Sequence, residues 1–194
     1  PSTYRLNGYM WMTKMPEFDF LVPATIRGKP TTLRNLIEIF NISEQGNGRS
    51  FIAPDILEKY GDLSIKKSYF ARHTWTVVNG TRTSDIRTQV QQIHIQGNGL
   101  YRFHTLLETV IFQSLCYLSG IESGYMDREY GDSPKPQTYS RCGLTMRDNG
   151  VTKLICAGWA HKFVPEWKDQ VSLYIATFDG IGPIPPGAGA LREL

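Results

Sequence analysis

His104 and Glu108 stand four residues apart in the most apolar stretch of the chain. On an α-helix that spacing puts both on one face, where an imidazole and a carboxylate can exchange a proton or share a metal ion. His73 or His94 would have to complete either arrangement. Nothing supplies further ligands at a recognised metal spacing. A second set is Cys156 or Cys142 with His161, and Glu166 or Asp169 to orient the imidazole. A thiol nucleophile needs such a base within hydrogen-bond reach. Cys156 falls inside a predicted strand, where a thiol is usually buried and inert. A third set is Asp55, Glu58 and Asp62, followed by Lys66 and Lys67. Metal-dependent nucleases pair carboxylates with a lysine, but the acid-x-Lys tripeptide occurs only far downstream, at Glu166-Trp167-Lys168. Gly120-Ile121-Glu122-Ser123-Gly124 is one residue out of step with a nucleophile elbow. Gly46-Asn47-Gly48-Arg49-Ser50 lacks the phosphate-loop lysine. The expectation is therefore no catalytic residue, no metal and no cofactor.

Charge points elsewhere. The net charge is only +3, with 21 Lys and Arg against 18 Asp and Glu. Between Leu63 and Leu107, however, Lys66, Lys67, Arg72, Arg82, Arg87 and Arg102 face Asp85 alone. Tyr69, Phe70, Trp75, Tyr101 and Phe103 are interleaved with them. Cations neutralise phosphates and aromatics stack on bases, so this segment is the candidate partner-binding surface. The acidic partner could be a nucleic acid or an anionic membrane surface.

The frame that must position these residues is one ordinary domain. The chain has 194 residues, 41% of them apolar and 12% aromatic, which is enough for a core without staples. Disorder is excluded by that composition. No apolar run is long enough to be a transmembrane segment, and the first residues are not patterned as a signal peptide. Three cysteines make an odd count, which argues for reduced thiols and an intracellular, cytoplasmic or virion-associated chain. Cys142 and Cys156 flank Asp148-Asn149-Gly150. A three-residue loop would set them opposite each other; a two-residue Asn-Gly loop would set Cys142 opposite Ala157.

The periodicity gives strands over Tyr4–Met12, Phe18–Ile26 (interrupted by Pro23) and Ile65–Val78. Asn79-Gly80 would turn that last strand into a return strand over Ile86–Ile95. Thr31 or Thr32 caps a helix carrying Leu33, Leu36, Ile37 and Phe40, which Gln45-Gly46-Asn47-Gly48 closes; Pro54–Tyr60 is a second helix. Leu100–Leu118 is a third, apolar on most sides. A polar connector runs from Ile121 to Gln137. A second hairpin joins Thr138–Met146 to Val151–Trp159, and Val171–Phe178 is a last strand. Residues 180–194, with Pro183-Ile184-Pro185-Pro186, form an extended Pro/Gly-rich tail after a domain over residues 1–179.

These elements predict an α+β fold, a mostly antiparallel sheet built from hairpins and packed on one long buried helix. The function expected is that of a non-enzymatic structural or interaction protein. It would self-associate and present a basic β-hairpin to an acidic partner. In type it resembles small viral matrix or coat proteins. A small metal-dependent hydrolase or nuclease is the first alternative. The second is a small-ligand carrier with a pocket between sheet and helix, lined by Trp75, Phe103 and Tyr117.

Overall fold

The computed structural model describes residues 4–6, 9–11, 17–41, 49–76, 99–118, 138–160, 172–178 and 187–194. The fold is mixed α+β. Two short strands, β1 (Tyr4–Leu6) and β2 (Tyr9–Trp11), pair antiparallel with each other, where a single strand is expected over Tyr4–Met12. Strand β3 (Glu17–Val22) follows, then a hairpin of β4 (Thr25–Ile26) and β5 (Lys29–Pro30). Its two turn residues, Arg27 and Gly28, have φ of 51° and 77°, the left-handed geometry of a tight hairpin turn.

Helix α1 (Leu33–Asn41) starts where the sequence places it, because the Thr32 hydroxyl accepts the Asn35 N–H at 3.2 Å. Strand β6 (Arg49–Ile52) leads to helix α2 (Pro54–Tyr60), whose bounds match the expectation. Strand β7 (Tyr69–Thr76) keeps the expected alternation. Ala71 and His73 are buried, Arg72 and Thr74 are half-buried, and Phe70 is exposed.

The third helix, α3, spans Leu106–Leu118 and not Leu100–Leu118. Before it, Arg102 and Phe103 form strand β8. The start is fixed by a reciprocal cap: the Thr105 N–H donates to Glu108 Oε2 at 2.6 Å, and the Glu108 N–H to the Thr105 hydroxyl at 3.3 Å. All residues from Leu106 to Gln113 are buried, while Leu115 is exposed.

Strands β9 (Thr138–Asp148) and β10 (Val151–Ala160) form the second hairpin. Asp148 opposes Val151, so the turn has two residues, Asn149 and Gly150, with φ of 48° and 83°. The register then shifts between Leu154 and Cys156, where three residues of β9 face one of β10. Cys156 therefore opposes Arg141, a pairing that neither simple loop register anticipated. Cys142 and Cys156 are both free and buried.

Strand β11 (Ser172–Phe178) and strand β12 (Gly187–Glu193) complete one eight-stranded sheet, in the order β3-β7-β12-β9-β10-β11-β6, with the eighth strand, β8, off this path and paired to β12. Most of its pairs are antiparallel; β12–β9 and β11–β6 are parallel. The C-terminal segment is the largest correction. Residues 187–193 are not a free arm but an interior strand of the sheet. Gly187-Ala188-Gly189-Ala190 has no alternation to announce a strand, yet its small residues let Tyr101 and Phe103 lie over Ala190. One edge of β12 pairs with β7. The other pairs first with β9, Ala188 opposite Arg141, and then with β8, Ala190 opposite Phe103. The bulge in β9 makes room for that exchange. Gly143 donates its N–H to the His104 carbonyl at 2.7 Å, and a Cβ there would lie 3.2 Å from that of Phe103.

The core lies between one face of the sheet and the helices. Val22, Ala71, Leu191, Ile155 and Ile175 meet Leu106, Val110 and Ile111 in one cluster. The return strand over Ile86–Ile95, the Asn79-Gly80 turn, the Gln45–Gly48 turn and the Ile121–Gln137 connector lie outside the described residues. Over Ala71–Thr74, both edges of β7 are already taken by β3 and β12. A chain ending at Pro186 would lose the strand between β7 and β9. It should show no cooperative thermal transition by far-ultraviolet circular dichroism, whereas a retained sharp melt would mean that β12 is dispensable.

Candidate functional site

The residues singled out for chemistry converge beside the start of α3, though not as a helical face. His104 precedes the cap residue Thr105, so it lies outside the helix and turns toward β7. There His73 Nδ1 and His104 Nε2 are 2.8 Å apart, one ring donating and the other accepting. The two side chains are 1% and 3% exposed. His73 stacks on Phe112 with ring centroids 3.8 Å apart, and Phe20 lies parallel to His104 at 6.4 Å. Burial in this aromatic cage holds both imidazoles neutral. It pulls His104 down to about 4, against the opposing pull of the Glu108 carboxylate. His73 is driven well below the usual histidine range by burial and by the neighbouring His104.

Glu108 faces a different set of partners. Its carboxylate is 1% exposed and accepts hydrogen bonds from Arg102 Nη1 at 2.8 Å, Arg102 Nη2 at 2.7 Å, the Thr105 N–H and the Tyr69 hydroxyl. Burial alone would raise its pKa. The bonds from Arg102, Tyr69 and Thr105 outweigh that and bring it to about 2. Arg102 also reaches Glu193 on β12 at 3.0 Å. Glu108 thus ties α3, β8, β7 and, through Arg102, β12 together. The sequence held the sign of this in Thr105-Leu106-Leu107-Glu108, a capping-box pattern hidden by the apolar run around it.

The other chemical sets do not assemble. Among the described residues, no three His, Cys, Asp or Glu side chains group as metal ligands. Burial pushes the Cys116 and Cys142 thiols up to about 12, and that of Cys156 well above the usual thiol range, which leaves no thiolate at neutral pH. His94, His161, Glu166 and Asp169 lie outside the described residues. Asp55 bonds the N–H of Ile56 at the start of α2, and Asp62 pairs with Arg34 at 3.1 Å. Phe103 packs on Ala190 and beneath the Arg141 guanidinium, away from the α3 core, so it does not line a pocket between sheet and helix. The side chains of Trp75 and Tyr117 are outside the described set.

The expected basic surface also divides. Arg72 is held by Asp19 through two bonds of 2.7 and 2.8 Å and lies 3.4 Å from Glu17. Arg102 belongs to the Glu108 network. Arg82 and Arg87 are outside the described residues. Lys66 and Lys67 are exposed, and no described residue forms an ion pair with either.

Two cations that sequence distance concealed join them. The Ile65 N–H donates to the Thr31 carbonyl at 3.2 Å, Ser64 bridges to Thr32, and the Ser68 hydroxyl accepts the Ala24 N–H at 2.8 Å. The 61–68 loop is thereby laced to both ends of the β4–β5 hairpin, whose turn and second strand carry exposed Arg27 and Lys29. Within residues 23–34 and 61–68, Arg27, Lys29, Arg34, Lys66 and Lys67 face Asp62 alone, and Glu38 reaches in to Lys29 at 3.4 Å.

Comparison with protein-family models, with curated proteins and with solved structures finds no match for this chain. No helix among the described residues is long and apolar enough to cross a membrane.

Two stability measurements follow from the interior site. An unfolded histidine titrates near 6.5 and folded His104 near 4, so the unfolded state takes up the proton first as pH falls. Stability present above pH ~6.5 is lost on the way down to pH ~4, by roughly 3 kcal/mol for His104 alone. Urea midpoints at pH 7 and pH 5 should differ accordingly, and His104→Phe should flatten the difference. The Glu108 contribution lies lower, present above pH ~4.5 and lost toward pH 2. Glu108→Gln should cost about 3 kcal/mol in urea unfolding, because it strips the paired Arg102 of its carboxylate. Asp62→Asn, at the exposed Arg34 pair, should cost under about 1 kcal/mol. Equal costs would refute the ranking.

Proposed function

We propose that this protein is a non-enzymatic interaction protein that meets an acidic partner through the basic end formed by the β4–β5 hairpin and the 61–68 loop. The observation that carries this reading is the sorting of the ionisable groups. Those with catalytic potential, His73, His104, Glu108 and the described cysteines, are buried and engaged in packing or hydrogen bonds. Arg72 and Arg102 are matched by carboxylates of the fold itself. Arg27, Lys66 and Lys67 remain exposed with no described ion-pair partner, and Lys29 has a single long contact to Glu38. A polyanion gains by neutralising those charges, and the gain weakens with salt.

Self-association belongs to the same reading. The terminal strands β3 and β6 each pair on one side only among the described residues, which leaves backbone groups for a second chain. Light scattering across protein concentration reads that part directly: an oligomer supports it and a monomer throughout refutes it.

The charge part is tested with a single-stranded oligonucleotide as a generic polyanion, followed by fluorescence anisotropy at several salt concentrations. Lys66→Ala with Lys67→Ala should weaken binding and reduce the magnitude of the salt slope by about 1.4, at roughly 0.7 per lost phosphate contact. Arg72→Ala should leave the slope unchanged. Binding insensitive to Lys66 and Lys67 overturns the reading, as does the absence of binding to any polyanionic surface.

A further inference from the structure

We propose that the basic end docks on an anionic membrane surface, with Leu21 and Phe70 entering the headgroup layer beside Arg27, Lys29, Lys66 and Lys67. This rests on the reading of the basic end as the contact surface and names its partner.

Leu21 on β3 and Phe70 on β7 are direct cross-strand partners. They share the sheet face opposite the core, since their neighbours Val22, Phe20 and Ala71 are buried inward. Leu21 is 45% exposed and Phe70 59%. The pair lies where β3 leaves the sheet toward Ala24 and β7 enters it from Ser68. Ala24 and Ser68 are the residues whose hydrogen bond joins the hairpin to the lysine loop. Leu63, 44% exposed, lies in that loop as well. Cations and exposed apolar side chains therefore meet at one end of the fold.

A nucleic acid would use the cations and could stack a base on Phe70, but it has no use for exposed leucines. A lipid surface uses both. Its anionic headgroups attract the lysines and arginine, and the boundary with the acyl chains accepts leucine and phenylalanine. The nearby carboxylates do not oppose the approach. Asp19 and Glu17 are taken by Arg72 and Asp62 by Arg34, while Glu38 offsets part of the Lys29 charge and leaves Arg27, Lys66 and Lys67 in excess.

The test is co-sedimentation of the full chain with vesicles of phosphatidylcholine alone or mixed with phosphatidylserine, at low and high salt. The oligonucleotide assay runs in parallel. The expected result is partitioning onto the phosphatidylserine vesicles that high salt weakens, and little onto phosphatidylcholine. Lys66→Ala with Lys67→Ala should reduce it about thirtyfold. Leu21→Ser with Phe70→Ser should reduce it about tenfold. These positions are exposed, and a thermal melt confirms that each variant folds. Oligonucleotide binding that needs the lysines, with no vesicle binding, overturns the membrane partner and keeps the basic end. Vesicle binding indifferent to Leu21 and Phe70 overturns the insertion. If the serine variant instead dissolves an oligomer without changing vesicle binding, the pair serves a second copy of the chain, and the proposal falls. Absence of both kinds of binding overturns this inference and the reading beneath it.

Discussion

A carboxylate buried at the start of a helix is the constraint around which the described structure is arranged. Glu108 is almost without solvent, and an ionised carboxylate in that position is tolerable only with its oxygens fully engaged. It takes the Thr105 N–H at the N-terminus of α3, the Tyr69 hydroxyl from β7 and two N–H groups of Arg102 from β8. Each of those donors has to arrive from a different element. The sheet must therefore bring β7 and the short β8 to the same end of α3, and β12 is the strand between them. Arg102 then spends its remaining reach on Glu193 of β12. A buried ion pair of this kind adds modest net stability against an apolar substitute, but it severely penalises any packing that separates its members. Its value here is in register: β8, β12 and α3 can slide relative to one another only by stranding a charge.

The histidine pair is a consequence of that arrangement. Once α3 begins at Leu106, His104 is left in the short connection between β8 and the helix. Its backbone carbonyl is fixed by Gly143 in the bulge of β9. Its ring then has β7 beneath it and meets His73. One neutral imidazole donates to the other, and Phe20 and Phe112 pack against them. The pair lies beside Glu108, whose charge pulls His104 upward against the effect of burial. The carboxylate is saturated by stronger donors, and the pair remains a packing feature sensitive to acid and closed to solvent.

Much of this was legible in the sequence, and the failures have identifiable physics. Both short helices were marked by local chemistry, Thr32 as cap and Pro54 in the first turn, and local chemistry survives folding. The alternation in β7 was readable because one of its faces is core. The start of α3 was misplaced because apolar periodicity runs back through Tyr101 and Phe103, whose side chains belong to the opposite face of the sheet. The box at Thr105 and Glu108 marked the true start. The two-residue Asn149-Gly150 turn is one of the two loops the sequence allows, but the register shift beyond it is hidden because a bulge carries no reliable sequence mark beyond a glycine. Strand β12 was invisible. Gly187-Ala188-Gly189-Ala190 has no side chains large enough to make a pattern, and its place in the sheet is decided by neighbours far away in the chain.

The charge map shows the same limit in a form that bears on function. Counting cations along the sequence put Arg72 and Arg102 in the candidate surface and left out Arg27 and Lys29. Folding redraws that charge map. Arg72 and Arg102 stand on strands, where cross-strand and helix-borne carboxylates are within reach, so the fold consumes their charge. Arg27 and Lys29 sit on a two-strand hairpin with a left-handed turn, too short to bring in acidic neighbours of its own. The bridge of Ser64 to Thr32, the Ile65 N–H bond to the Thr31 carbonyl and the Ala24 N–H bond to the Ser68 hydroxyl then carry Lys66 and Lys67 up to it. A charge is available to a partner only when the elements that hold it supply no counter-charge, and that property belongs to turns and laced loops rather than to the density of lysine and arginine in a stretch of sequence. Among the described residues, Arg27, Lys66 and Lys67 meet that condition, beside the exposed pair Leu21 and Phe70.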